Sequence, residues 1–163
     1  MDLLEHTKIW VNGEVFQGKI MMGMGIALLI GWFAIFKSEH TLLKGSLIPL
    51  ALVLVVLLGY GSMQAFYRPT HLQKVSNLYA GSPEKALEQE VQKAQKDEKA
   101  YKTLKPIWAV LIGLFLVLYF VFPSPYWKGM FLGFATLFLS LLVLDTVLHY
   151  RLDIYHQALK GFT

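Results

Sequence analysis

Four ionisable residues near the C-terminal end share one helical face. Asp145, His149 and Asp153 stand four apart and His156 follows three further on, so in a helix all four project to one side. They adjoin an apolar run, Tyr126 to Leu144. An ionisable group at the centre of a bilayer costs about 2.5–3.5 kcal/mol, and less near the interface. One reading is therefore a proton or cation site with Asp145 and His149 at its mouth. The plain alternative is a polar stripe where a helix leaves the membrane, with Asp145 snorkelling or pairing with Lys19, Lys105 or Arg68.

The same residues admit a metal. Imidazole and carboxylate together suit zinc, iron or manganese, and Asp153 and His156 have the i, i+3 carboxylate–histidine spacing of diiron bundles. The pair occurs once only, with Asp in place of Glu. Further ligands would come from His71, Glu14, His6 or Glu5, and a haem between His149 and His71 is the related possibility. No cofactor is predicted from these residues alone. The absence of cysteine excludes disulfides, thiol catalysis and thiolate metal sites.

The elements that must position these groups are membrane helices. Of 163 residues, 55% are hydrophobic and only 16% charged, against about a quarter charged in soluble domains. The net charge of +4 would suggest nucleic acid in a soluble protein. Here its distribution matters more, and the bilayer is the expected partner. The first residues lack the basic start and cleavage site of a secretory signal, so the first apolar segment is expected to remain.

The expected fold is an all-α integral membrane protein of one domain, with four transmembrane helices in an antiparallel bundle. Residues 1–19 are read as an amphipathic helix lying in the interface, on a stripe of Leu3, Leu4, Trp10, Val11 and Val15. A β-hairpin about Asn12-Gly13 is the rival. The spans are 20–36, 46–67, 106–122 and 126–149, and 150–160 extends the last. Pro49 fits the first turn of a helix starting near Ser46, and Arg68-Pro69 predicts a kink or break. Residues 70–105 are read as a helical hairpin that extends spans two and three. Gly81 is expected to end its first arm, with Ser82 capping the second and Pro83 at the first helical position. The second arm offers a thin stripe of Leu87, Val91, Ala94, Tyr101 and Leu104.

Small residues recur at spacings that let helix backbones approach closely: Gly23, Ala27 and Gly31; Gly61 and Ala65; Gly129 and Gly133. Three such strips predict a homo-oligomer or a larger membrane complex. Lys37, Lys44 and Lys128 fall on one side of the spans and all other lysines and arginines on the opposite side. The positive-inside rule then places both termini and the hairpin in the cytoplasm, making this a multi-pass protein of the cytoplasmic (inner) membrane. Lys19, Arg68, Lys99, Lys102, Lys105 and Arg151 are expected to form a collar that attracts anionic headgroups. Trp10, Trp108, Tyr67, Tyr150 and Tyr155 read as an aromatic belt on the same side.

No phosphate-binding loop, nucleophile elbow, zinc-protease or dinucleotide motif occurs, so nothing points firmly to an enzyme. The expected role is a small, oligomeric, non-enzymatic membrane subunit. Its hairpin engages a partner or signals to the membrane part. A cation or proton transporter comes second and a metal- or haem-dependent membrane enzyme third.

Overall fold

The computed structural model describes residues 2–162, and every regular element among them is helical. The helices are α1 (Leu3–Lys37), the short α2 (Thr41–Gly45), α3 (Leu47–Gly81), α4 (Pro83–Val121) and α5 (Pro125–Lys160). All but α2 are long and apolar enough to cross a membrane. At 35 to 39 residues, each is about 53–59 Å long, nearly twice a hydrocarbon core of about 30 Å. Each therefore has an apolar part and a charged part, and the charged parts assemble into a head.

The N-terminal reading is corrected. Residues 3–19 form no hairpin and do not lie apart as an interfacial helix; they are the first half of one uninterrupted helix. An interfacial helix would need the chain to turn near Lys19. Instead, Leu3, Thr7, Trp10, Val11, Glu14, Gln17 and Gly18 bury a face that lipid would otherwise cover. The glycine of the supposed turn is helical, and the Arg151 guanidinium donates to its carbonyl oxygen.

No break occurs at Pro69 either. Two widened, π-helical stretches, Val55–Tyr60 and Met63–Tyr67, precede it. A wider turn relieves the collision of a proline ring with the carbonyl four residues back. Pro106 likewise sits inside α4, where the bond it deletes would have gone to the carbonyl of Lys102, an exposed residue. Between α3 and α4 the only non-helical residue is Ser82, extended at φ −157° and ψ 96°. Its hydroxyl makes no capping bond, and no described residue has positive φ. Gly81 ends α3, Ser82 stands at the N-cap position of α4 and Pro83 opens it, as expected, but the serine caps without a side-chain bond.

Two apolar cores result. Leu3, Trp10, Val11, Ala86, Ala94, Leu152, Tyr155 and Leu159 form that of the head. Met21, Val53, Leu57 and Leu137 form a smaller one among α1, α3 and α5. In the apolar part α4 stands outside this second core. None of its most apolar window is buried, and it meets α5 through Phe115 on Phe134 and Trp108 on Phe138.

Close backbone contacts hold the rest. A Cβ on Gly18 would lie 2.6 Å from the Gly61 carbonyl oxygen and 2.7 Å from the Ala65 nitrogen. One on Gly129 would lie 1.7 Å from the Leu42 carbonyl oxygen, and one on Gly133 2.4 Å from Pro49 Cγ. Gly129 and Gly133 therefore seat α2 and the start of α3 against α5. Around Gly23 and Gly31 there is open space, and Ala27 is exposed. The two glycines face away from their own chain, while Ala27 lines the rim of a groove shared with α3 and α5.

Candidate functional site

The stripe Asp145, His149, Asp153 and His156 does lie along one side of α5, but its members are taken up singly. The indole of Trp108 donates to Asp145 Oδ2 at 2.7 Å. Lys105 Nζ donates to His149 Nδ1 at 2.6 Å, and the His149 ring stacks on Tyr101. His156 Nδ1 meets Glu98 Oε2 at 2.8 Å, while Lys102 donates to the other oxygen of Glu98. Asp153 accepts from Gln157 of its own helix at 3.0 Å. Three of the four groups thus zip α5 to α4. Among the described residues no three His, Asp or Glu side chains gather where a metal ion could sit. His71 lies in a different cluster from His149, with different partners.

That second cluster is the more concentrated site, and Trp10 is its centre. About two turns of α1 place Thr7, Trp10 and Glu14 on the face that packs inward. Tyr155 of α5 stacks on the Trp10 ring with centroids 4.7 Å apart. Arg68 of α3 lies 4.5 Å from the ring centroid, Lys93 of α4 lies 4.9 Å from it, and His71 meets it edge-on. Such cation–π contacts strengthen with desolvation.

The acids are threaded between these groups. Glu14, only 2% exposed, pairs with the Arg68 guanidinium. Glu90, 4% exposed, accepts from the Tyr155 hydroxyl at 2.8 Å through the same oxygen that faces His71 Nε2 at 3.1 Å. Thr7 Oγ1 lies 2.9 Å from the Tyr155 oxygen and also donates to the Leu3 carbonyl. Burial opposes ionisation of Glu90. The hydrogen bond and charge of His71, the Tyr155 hydroxyl and the Lys93 charge outweigh it and hold the carboxyl below its ordinary value. Burial, with the Glu90 charge adding to it, pushes the Tyr155 phenol well up. The network favours the ionised Glu90 carboxylate and the protonated Tyr155 phenol, and it fastens four helices to one another.

Of the expected headgroup collar, Lys19 and Lys99 are exposed. Lys102 and Lys105 are engaged by Glu98 and His149. Arg68 and Arg151 are turned inward to Glu14 and the Gly13 carbonyl. Trp10 and Tyr155, assigned to an interfacial belt, are core residues instead. An aromatic belt needs rings at the rim of the bilayer. These two lie in the head's interior, where their flat faces fill the space between α1 and α5.

Glu90, Lys93 and Thr7 escaped the sequence reading. A signal existed for Glu90, which falls midway between Ala86 and Ala94 at helical spacing. The buried face of α4 is Ala86, Glu90 and Ala94, displaced by about one position from the Leu87–Val91 stripe. Small residues mark where helices approach closely, and a carboxylate on such a face must find partners across the contact.

Comparison of the chain with protein-family models, curated proteins and solved structures found no match.

Proposed function

We propose that this protein is a non-enzymatic subunit of a membrane assembly. Its four long helices run antiparallel through the bilayer of the inner membrane. Both ends and the hairpin of residues 70–105 stand on the cytoplasmic side. The observation that carries the reading is the head itself, a cross-tied unit with its own core that leaves Ile9 and Ile154 more than half exposed on neighbouring helices. Isolated apolar side chains are ordinary on a protein surface. These two instead flank a pocket of about 240 Å³ whose wall includes Trp10 and Tyr155, so a partner docked there would press on the centre of the network.

Side-by-side assembly in the membrane is supported by Gly23 and Gly31, beside which a Cβ would meet nothing within 4 Å, and by the exposed Ala27 between them. The transport reading has less behind it. Asp145 turns to Trp108 and His149 to Lys105 and Tyr101, separate α4 partners rather than a common path.

Because the chain has no cysteine, single-residue labelling is simple. A photo-crosslinker at Ile154 in native membranes should give one defined adduct, and Ile9→Glu should abolish it. Absence of any adduct from positions 9 and 154 would count against docking at this face. Labelling of cysteines at Gln95 and Glu39 from the same side of sealed vesicles would refute the topology.

A further inference from the structure

The cleft between the two arms of the hairpin is a different kind of place from the Ile9–Ile154 face. It measures about 500 Å³, and its wall includes His71 and Lys74 of α3 and Glu90, Gln92, Lys93 and Lys96 of α4. That is within the usual range for small-molecule pockets. Three ammonium groups face one carboxylate, and that carboxylate is already committed to Tyr155 and His71.

Lys93 is the cation left wanting. Among the described residues no carboxylate forms an ion pair with it. Its Nζ lies 3.2 Å from His71 Nε2, the nitrogen that also faces Glu90. One ring nitrogen cannot donate to Glu90 and accept from Lys93 together. When it donates, the ammonium keeps only Nδ1 at 3.5 Å and the face of Trp10. Burial, and then the neighbouring Arg68 charge, hold the Lys93 ammonium below its ordinary pKa, although Glu90, Asp97 and Glu14 pull the other way.

We propose that this cleft is a binding site for a phosphate-bearing anion, held by Lys74, Lys93 and Lys96 with Gln92 as a further donor. Ammonium groups gain most from multiply charged oxygen acceptors, and the cleft's volume suits a ligand of nucleotide size better than a single inorganic ion. Lys74 stands six residues beyond Arg68, about 9 Å along the helix. The headgroup zone is only about 5–8 Å deep on each side, so a soluble phosphate ester fits this depth better than a lipid. The site also touches the network at His71 and Glu90, which gives a ligand a physical route to Trp10. The proposal does not depend on the partner face described above.

The test is calorimetric titration of the full chain in zwitterionic nanodiscs with ATP and, separately, with diphosphate. Lys74 and Lys96 are exposed, so Lys74→Gln/Lys96→Gln should fold normally, as circular dichroism can verify. Saturable binding that weakens about tenfold or more in this variant, and again in Lys93→Gln, is the expected result. Nanodiscs containing phosphatidylglycerol form a second arm. Lipid retained by the wild type, but not by the double variant, would assign the phosphate to a headgroup. If neither soluble probe binds and lipid retention is equal in both proteins, the site does not exist. Binding unaffected by the double substitution would overturn it equally.

Discussion

Trp10 and Tyr155 stack with ring planes 2° from parallel and centroids 4.7 Å apart, although 145 positions separate them in the chain. Their contact joins the first turns of α1 to the last turns of α5. Because Arg68 and Lys93 lie near the same indole, it also sets where two cations of α3 and α4 reside. Removing Trp10 should therefore do more than leave a hole. Trp10→Ala is expected to cost about 3–5 kcal/mol, the range for a large buried aromatic. Trp10→Phe, which keeps a stackable ring, should cost clearly less. Thermal unfolding in detergent, followed by circular dichroism, would order the two variants. Equal stability of Trp10→Ala and wild type would remove the stack from any structural role.

The Glu14–Arg68 pair is buried on one side and partly open on the other. Removing one partner leaves a charge in the contact between α1 and α3, a change that costs about 3–5 kcal/mol when a buried pair is broken. Arg68 retains some access to water, so Glu14→Gln should fall at or below the low end. Glu14→Leu/Arg68→Met, which removes both charges, is expected to recover most of the loss. A double-mutant cycle on chemical denaturation midpoints separates these outcomes. No recovery would mean that Glu14 acts through packing alone.

Glu90 gives the head an acid dependence with a definite sign. Its folded-state pKa lies below the ordinary value of 4.5, so the unfolded chain takes up the proton first. The stabilisation is complete above about pH 4.5 and is lost as pH falls towards the folded value. In Glu90→Gln the loss of stability on acidification below that point should be shallower than in the wild type. Melting temperatures followed from about pH 6 down to about pH 3 would show it, and parallel curves below pH 4.5 would contradict the assignment.

The division between what sequence alone revealed and what it concealed follows the physics of each region. Four apolar segments were plain because hydrocarbon demands long uninterrupted runs, and Gly61, Ala65, Gly129 and Gly133 were found because close contacts leave room only for small side chains. Gly18 was overlooked, standing alone without a small partner four residues away. The polar stripe of α5 was visible as spacing, yet spacing cannot say whether its members converge or pair off. Asp145, His149 and His156 pair with Trp108, Lys105 and Glu98 respectively. Trp10 and Tyr155 were misplaced because an aromatic near a charged boundary looks the same whether it serves as belt or core. Which one it becomes depends on the other three helices.

Gly18 and Gly23 provide a contrast within one helix. A methyl at Gly18 would strike the backbone of α3 at Gly61 and Ala65, whereas one at Gly23 meets nothing within 4 Å. Gly18→Ala should force α1 and α3 apart and destabilise the isolated protein by about 1–3 kcal/mol, the usual cost of overpacking. Gly23→Ala replaces a glycine by a better helix former in open space, so unfolding of the monomer should be unchanged or slightly harder. Its effect belongs to assembly. If Gly23, Ala27 and Gly31 carry a helix of a neighbouring subunit, Gly23→Leu together with Gly31→Leu should lower the oligomeric state seen by light scattering in detergent. The Gly18 variant should lose stability first. An assembly that ignores both leucines would leave that strip to lipid.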